Sequence, residues 1–303
     1  MKKYDLYIPS TDSSQQLHYV VWEPDDAPVA VLQLVHGMEE YIDRYDAFAR
    51  ALVEKGWAVI GHDHLGHGLS GCYERGFFTE RKDGADVVIK DMHLITETAM
   101  NRWHLPVYIF GHSMGSFFTR RYLALYGKDV HGAIICGSGW YNSFLTGSAY
   151  LMARLFGILV GEQKKSRMLT AICTSPYSHA FSKEGKDAWL SANKENVQHY
   201  HADPLCGFGF TCGGFKVMYQ NLLRVSREKD YQQLRSIPIL IISGDDDPVG
   251  GRKSVDAIAR QYRKYGFENV TEYAISGNRH EILFEAEAHE TIEYMINWLN
   301  SNR

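Results

Sequence analysis

The 303-residue chain is poor in the features that mark secreted, nucleic-acid-binding or membrane-embedded proteins. Its five cysteines, at 72, 136, 173, 206 and 212, are an odd number with no CxxC spacing. That argues against a disulfide framework or a zinc ribbon and fits reduced thiols in the cytoplasm. Charge of one sign is also scarce: 32 Lys and Arg against 36 Asp and Glu leave a net charge of −4. No basic face is implied, and nucleic acid is not an expected partner. No apolar run approaches the ~20 residues that cross a bilayer. The opening MKKYDLYIPSTDSS has neither an apolar stretch nor a small-residue cleavage site, so a signal peptide is not expected. Walker loops and a GxGxxG in strand-to-helix context are missing, as are repeats and low-complexity linkers.

What is present is a 45% hydrophobic content, enough for one large core, arranged as strands alternating with helices. After a hairpin-like stretch (4–22) come the buried strand VAVLQLVHG and a helix spaced by Tyr45, Phe48, Ala49, Leu52 and Val53, stopped at Gly56. WAVIGHDH, a helix within about 84–102, PVYIFGHS, a helix to Tyr126 and HGAIICGS follow. This rhythm predicts an α/β fold, a mostly parallel central sheet with helices on both faces. It lapses from Trp140 and resumes at IPILIISG. A gap of about 95 residues is too long for a structureless loop, and apolar stretches such as AYLMARLFGILVG (149–161) favour helices. The expected division is therefore a core over 1–139 and 236–303 with a helical cap insertion over 140–235.

The most informative segment is VYIFGHSMGS (107–116), where β-formers break into Gly111, His112, Ser113, Met114, Gly115. GxSxG at a strand-to-helix junction is the pattern of a nucleophile elbow. The turn is tight enough that Cβ atoms two residues either side of the serine would clash, and glycine removes them. The helix that begins there directs free N–H groups and its positive end at charge forming beside Ser113. In folds with such an elbow the acid and then the histidine follow in chain order. Three aspartates, Asp245, Asp246 and Asp247, end the strand IPILIISG, and only His280 and His289 come later. His289 falls on a helical repeat (Ala288, Ile292, Met295, Ile296, Leu299) and reads as a helix-surface residue. His280 follows the strand VTEYAIS across a turn, in a loop at the serine's edge of the sheet, where catalytic histidines belong.

Four segments together resemble the α/β-hydrolases of the monoacylglycerol lipase and lysophospholipase group, also described as serine-aminopeptidase-like hydrolases. They are LVHGMEEYIDRY (34–45), DHLGHGLS (63–70), GHSMG, and Gly244 to Asp247 with His280 in NRHE. The resemblance covers nearly the whole chain. It implies Ser113 as nucleophile, His280 as base, Asp247 as acid, and the N–H groups of Met38 and Met114 as oxyanion hole, with the insertion as a cap over the site. Glu39 and Tyr41 stand where close relatives of the mammalian lipase carry Gly and His, and Ser116 replaces a frequent Gly. Glu39 is accordingly a candidate for substrate binding.

The activity implied is hydrolysis of carboxylic esters, monoacylglycerol- or lysophospholipid-like, through an acyl-enzyme. No cofactor or metal is expected. His62, Asp63, His64 and His67 imitate HxHxDH, but Gly66 stands where that motif needs its Asp, and three consecutive aspartates lack the spacing of a calcium loop. Leu155, Phe156 and Leu159, with Leu151 and Ile158, are the expected lining of an acyl site. Peripheral membrane contact through the cap is expected as well, and the oligomeric state is left open. Two other readings stay open: a serine aminopeptidase or amidase, and a binding protein that shares the fold.

Overall fold

A computed structural model describes residues 1–225 and 236–303. Strands β1 (Lys2–Pro9) and β2 (Gln16–Glu23) form the opening hairpin, with Lys2 opposite Glu23 and Pro9 opposite Gln16. Strands β3 (Val31–Val35), β4 (Ala58–His62), β5 (Val107–His112), β6 (Gly132–Cys136), β7 (Ile239–Gly244) and β8 (Val270–Ile275) complete one eight-stranded sheet in the order β1-β2-β4-β3-β5-β6-β7-β8. From β4 to β8 every pairing is parallel, and β2 joins β4 antiparallel.

Parallel strands buried on both faces need apolar side chains in both directions, and successive residues supply them. In β3, Val31 and Val35 pack on one side, while Leu32 and Leu34 pack on the other. Helices α2 (Gly84–Trp103), α3 (Met114–Tyr126) and α8 (Gly251–Lys264) cover the first side; α1 (Asp46–Glu54) and α9 (Ala288–Ser301) cover the second. The polar exception in β3, fully buried Gln33, donates to the Met92 carbonyl and accepts from Thr96 Oγ1 (2.9 and 2.6 Å). Burial without these partners would cost on the order of 1–3 kcal/mol. His289 is exposed in the first turn of α9.

Between β6 and β7 run α4 (Ser143–Val160), α5 (Arg167–Ala180), α6 (Lys194–Ala202) and α7 (Cys212–Val225). Residues 226–235, the last ten of the expected insertion, lie outside the described residues. Helix α7 packs against α2, α3 and α4, so the inserted helices rest on the face of the sheet that α2 and α3 cover. Among the described residues helix α4 alone is, by length and composition, long and apolar enough to cross a membrane: over 18 residues its mean hydropathy is 1.4. Ser143, Thr146, Gly147, Ser148 and Arg154 interrupt any continuous apolar run, but the average stays high. Only Thr146, Ala153 and Gly157 of α4 are buried, and Phe144, Ile158 and Leu159 stand in the open.

The parallel strands β3, β5, β7 and β8 all end at one edge of the sheet. Loops after β3, β5, β7 and β8 lead to Met38, Ser113, Asp247 and His280 respectively.

Candidate active site

Ser113 has φ +52 and ψ −120, a left-handed conformation costly for a residue with a Cβ. The glycines on either side make it feasible. A Cβ on Gly115 would strike the carbonyl oxygens of Val35 and His36, and one on Gly111 would strike Thr119 and Gly115. The turn is further pinned where Ser113 N–H donates to the Cys136 carbonyl (3.0 Å). Helix α3 starts at Met114, so that residue's N–H is among the four that have no intrahelical acceptor.

The structure brings Ser113, His280 and Asp247 together. His280 Nε2 lies 2.8 Å from Ser113 Oγ, and His280 Nδ1 is 3.0 Å from each Asp247 carboxylate oxygen. Asp247 is also held by Ser243 Oγ (2.7 Å) and Val249 N–H (2.8 Å). Burial alone would raise its carboxyl, but His280, Ser243 and the Val249 N–H together hold it below the usual carboxylate range. Asp245 and Asp246 are exposed, and Asp245 instead accepts from Gly277 N–H (2.7 Å).

A second, buried network braces the loops that carry these groups. Glu40 accepts from Gly37 N–H (2.6 Å), Tyr45 Oη–H (2.8 Å) and Arg44 (2.7 Å). Arg44 grips Glu281, the residue after His280, through both terminal nitrogens. His112 donates from Nε2 to the His280 carbonyl (3.1 Å) and sets Nδ1 against Glu40 (3.2 Å). Burial would lower the His112 pKa, but the Glu40 carboxylate raises it above the ordinary value. Arg44 and Glu281 lie inside the quoted motifs, yet sequence reasoning assigned them no role, and it offered Glu40 only as a possible partner for a free amine in the aminopeptidase reading. Trp189, whose ring centre is 5.2 Å from that of His280, carries no sequence signal at all.

Two cavities meet at Ser113. One, of about 310 Å³, is the more polar of the two and is lined by Glu39, Asp187, Tyr200, His201 and Glu281 among others. The second, of about 410 Å³, is apolar and lined by Phe117, Leu145, Ala149, Ile172, Cys173, Tyr177, Met218, Tyr219 and Leu222. Met38, Ser113, Thr174 and Trp189 border both. Glu39 is therefore at the site. Its carboxylate accepts from Gly209 N–H (3.0 Å), and burial raises its pKa above the ordinary carboxylate value. Its φ of +58 matches the left-handed turn that glycine would adopt more readily. The expected acyl lining is corrected. Leu155 and Leu159 are exposed, Phe156 packs beside the main core, and none of the three borders the cavity. Helix α4 offers the cavity its first turns, Leu145, Thr146 and Ala149, and farther along the same side Ala153 and Gly157 are buried.

The four histidines near this edge, His36, His62, His64 and His67, form one buried ring-packed group, with His36 and His64 centroids 4.5 Å apart and His62 and His64 4.8 Å apart. Asp63 is engaged elsewhere: it meets His18 Nδ1 (2.8 Å) and accepts from the N–H groups of Ile42 and Leu69 (2.8 Å each).

A family model described as serine aminopeptidase, S33, matches residues 26–287. The chain belongs to that family. Its fold is the α/β-hydrolase fold. Over 290 residues it is 27% identical to monoacylglycerol lipase of Mycolicibacterium smegmatis, covering 94% of this chain and 92% of the relative. Human monoglyceride lipase is 26% identical over 243 residues, 77% of this chain and 70% of the relative. Among solved structures, a thermostable carboxyl esterase from Bacillus coagulans superposes with a TM-score of 0.90 at 24% identity over 99% of both chains. A soluble variant of monoglyceride lipase from Saccharomyces cerevisiae superposes with a TM-score of 0.76 at 17% identity, over 98% of this chain and 94% of that one.

Proposed function

We propose that the protein is a carboxylic ester hydrolase working through an acyl-enzyme on Ser113. The observation that carries this is the unbroken hydrogen-bonded series Ser113, His280, Asp247 at the junction of a polar and an apolar cavity. His280 Nε2 takes the Ser113 proton as Oγ attacks the ester carbonyl. Asp247 fixes the imidazole tautomer and stabilises the imidazolium. The N–H groups of Met38 and Met114 receive the oxyanion, where one such donor is worth about 2.7–4 kcal/mol. Collapse of the tetrahedral intermediate breaks the bond to the leaving oxygen, which leaves with the His280 proton. His280 then deprotonates water, which attacks the acyl-enzyme and releases the acid.

The apolar cavity suits an acyl chain and the polar one a hydroxyl-bearing head group, as in a monoacylglycerol or lysophospholipid. The names of the relatives from Mycolicibacterium smegmatis and human agree with the first of these. The helices between β6 and β7 act as the cap, and the open face of α4 makes contact with a lipid surface. Ser113→Ala tests the assignment. With the fold retained, it is expected to lose fluorophosphonate labelling and to lower kcat on p-nitrophenyl butyrate by about 10⁶. Near-parental turnover would overturn it. Monoacylglycerols, lysophospholipids and aminoacyl amides run in parallel separate lipase-like action from the aminopeptidase reading, in which Glu39 and Asp187 would receive a free amine.

A further inference from the structure

Trp189 stands at the border of both cavities with its ring against His280 (centroids 5.2 Å apart, planes tilted by 41°). It belongs to no helix or strand, so something else must hold it. That something is the loop of the catalytic histidine. Glu281 N–H donates to the Leu190 carbonyl (2.7 Å), and Arg279 Nη1 donates to the Ala188 carbonyl (2.7 Å). The strongest tie is Glu285, a buried carboxylate with four donors. Oε2 accepts from Ser191 Oγ (2.8 Å) and Asn193 N–H (3.0 Å), and Oε1 accepts from Ala192 N–H and Arg279 N–H (3.0 Å each). One side chain thus joins the residue before His280 to the three residues that follow Trp189 and Leu190. Charge-assisted bonds of this kind are stronger than neutral ones. The arrangement holds more than the local fold requires, since it fixes a ring against the reacting imidazole.

We propose that Glu285 is a positioning residue for hydrolysis, acting through Trp189. By clamping residues 191–193 to the Arg279 amide, it holds the indole against His280 and keeps the wall between the two cavities in place. Glu285 borders neither cavity and touches no substrate, so its effect passes through the histidine and the wall. The inference rests on the reading of Ser113 and His280 as the hydrolytic centre.

A double-mutant cycle on the full chain tests it, using E285Q, W189A and the pair together. Turnover of p-nitrophenyl butyrate is expressed per active site titrated with a fluorophosphonate, and thermal midpoints are recorded separately. The glutamine keeps one acceptor oxygen and gives up the charge, so the clamp loosens. E285Q is expected to lower kcat per labelled site about tenfold with KM changed less than about twofold, as befits a small misplacement of a reacting group. W189A is expected to lower kcat comparably. Because the two act on one contact, the pair should fall no more than about twofold below W189A alone. Multiplying losses would overturn the proposal. So would E285Q with a lowered thermal midpoint but parental kcat per labelled site, the signature of a purely structural role. Should E285Q not fold, S191A takes its place in the cycle, because it removes one donor from the same carboxylate. Absence of fluorophosphonate labelling in the parent chain would instead be a failure of the Ser113 assignment, separable from the result of the cycle.

Discussion

Arg44 holds Glu281 with two parallel bonds, Nη1 to Oε1 at 2.8 Å and Nη2 to Oε2 at 3.0 Å, across 237 residues of sequence. Both side chains are almost fully buried. The same guanidinium binds Glu40, whose other oxygen takes the Gly37 N–H. The loop carrying Met38 and the loop carrying His280 are therefore tied through one cation. Lysine has the charge but not the planar fork, so Arg44→Lys is not conservative here. Removing one partner of a buried pair costs about 3–5 kcal/mol. Arg44→Ala should reach that range in urea unfolding, and Arg44→Lys should fall between it and the parent, with kcat/KM reduced in both. Parental stability in Arg44→Lys would mean that the fork geometry is of no consequence.

The three consecutive aspartates give a second test. Only Asp247 meets His280, and Asp245 and Asp246 point elsewhere. Asp247→Asn is expected to lower kcat by about 10⁴ through the wrong imidazole tautomer, as for the acid of a comparable triad. Asp245→Asn and Asp246→Asn should remain within about threefold of the parent, since exposed substitutions away from such features are nearly neutral. A severe loss at either neighbour would place the acid in the wrong register.

The convergence of Ser113, Asp247 and His280 is legible in sequence because each sits at a strand end marked by local chemistry: two elbow glycines, a run of aspartates, a turn before the histidine. The alternation of strands and helices is legible for a similar reason, since burial on both faces of a parallel sheet leaves continuous apolar runs. The acyl lining is not. Helix α4 is apolar on nearly every side, so no periodicity marks which face meets α7, which opens to solvent and which borders the cavity. That choice is made by tertiary packing at Ala153 and Gly157, and it sets the start of the helix, around Thr146 and Ala149, at the cavity where Leu155 and Leu159 were the expected lining. Trp189 and Glu285 lie in segments with no periodic pattern, and the bonds that link them, such as Ser191 to Glu285, join two loops nearly a hundred residues apart.

This packing makes a distinct prediction for chain length. Phe156→Ala and Leu159→Ala should leave the optimum of a C2 to C12 ester series where it is. Enlarging Ala149 to Leu or Ile172 to Phe should shorten it. Up to that optimum each methylene buried in the cavity contributes up to about 0.8 kcal/mol, or roughly a fourfold gain in kcat/KM. An optimum unmoved by either enlargement, or one moved by Leu159→Ala, would put the acyl chain elsewhere.

The histidine cluster predicts a particular acid response. Burial pushes His62 and His67 each down to about 3, against an ordinary value of 6.5. Both ring nitrogens of His62 are without a hydrogen-bond partner among the described residues. Below pH 6.5 the unfolded chain takes up these protons and the folded chain does not. Their stabilisation is therefore full above pH 6.5 and is lost as pH falls from there toward 3, at about 1.4 kcal/mol per pH unit for each group. His112 and His18, whose pKa values are raised, act in the opposite sense, so the effect must be isolated by substitution. His62→Leu should be at least as stable as the parent at pH 7, because an unpaired buried polar group is replaced by an apolar one. Its advantage in urea unfolding should widen by about 1.4 kcal/mol for each unit below pH 6. An advantage that stays constant from pH 7 to 4.5 would show that His62 does not titrate on unfolding.

The outer face of α4 predicts how the protein meets lipid. Ile158 and Leu159 are each 69% exposed and Phe144 is 85% exposed, with Leu151 and Leu155 exposed between them, and apolar exposure of this extent marks an interaction site. Arg154 lies within the same helix, and Ala153 and Gly157 pack inward, so the helix has one face committed to the protein and one free. A helix with one face packed on α7 is expected to lie along a lipid surface rather than to cross it. Burying one large apolar side chain contributes about 1.5–3 kcal/mol. The double substitution Ile158→Glu with Leu159→Glu should therefore weaken binding to phosphatidylcholine vesicles by at least about a hundredfold. Turnover of soluble p-nitrophenyl butyrate should stay within about twofold of the parent, because neither residue borders a cavity. Bound parent protein should be released by a carbonate wash, as an interfacial helix is and a spanning one is not. Resistance to that wash would favour insertion of the 18-residue segment, and equal vesicle binding by the double variant would remove α4 from the lipid contact.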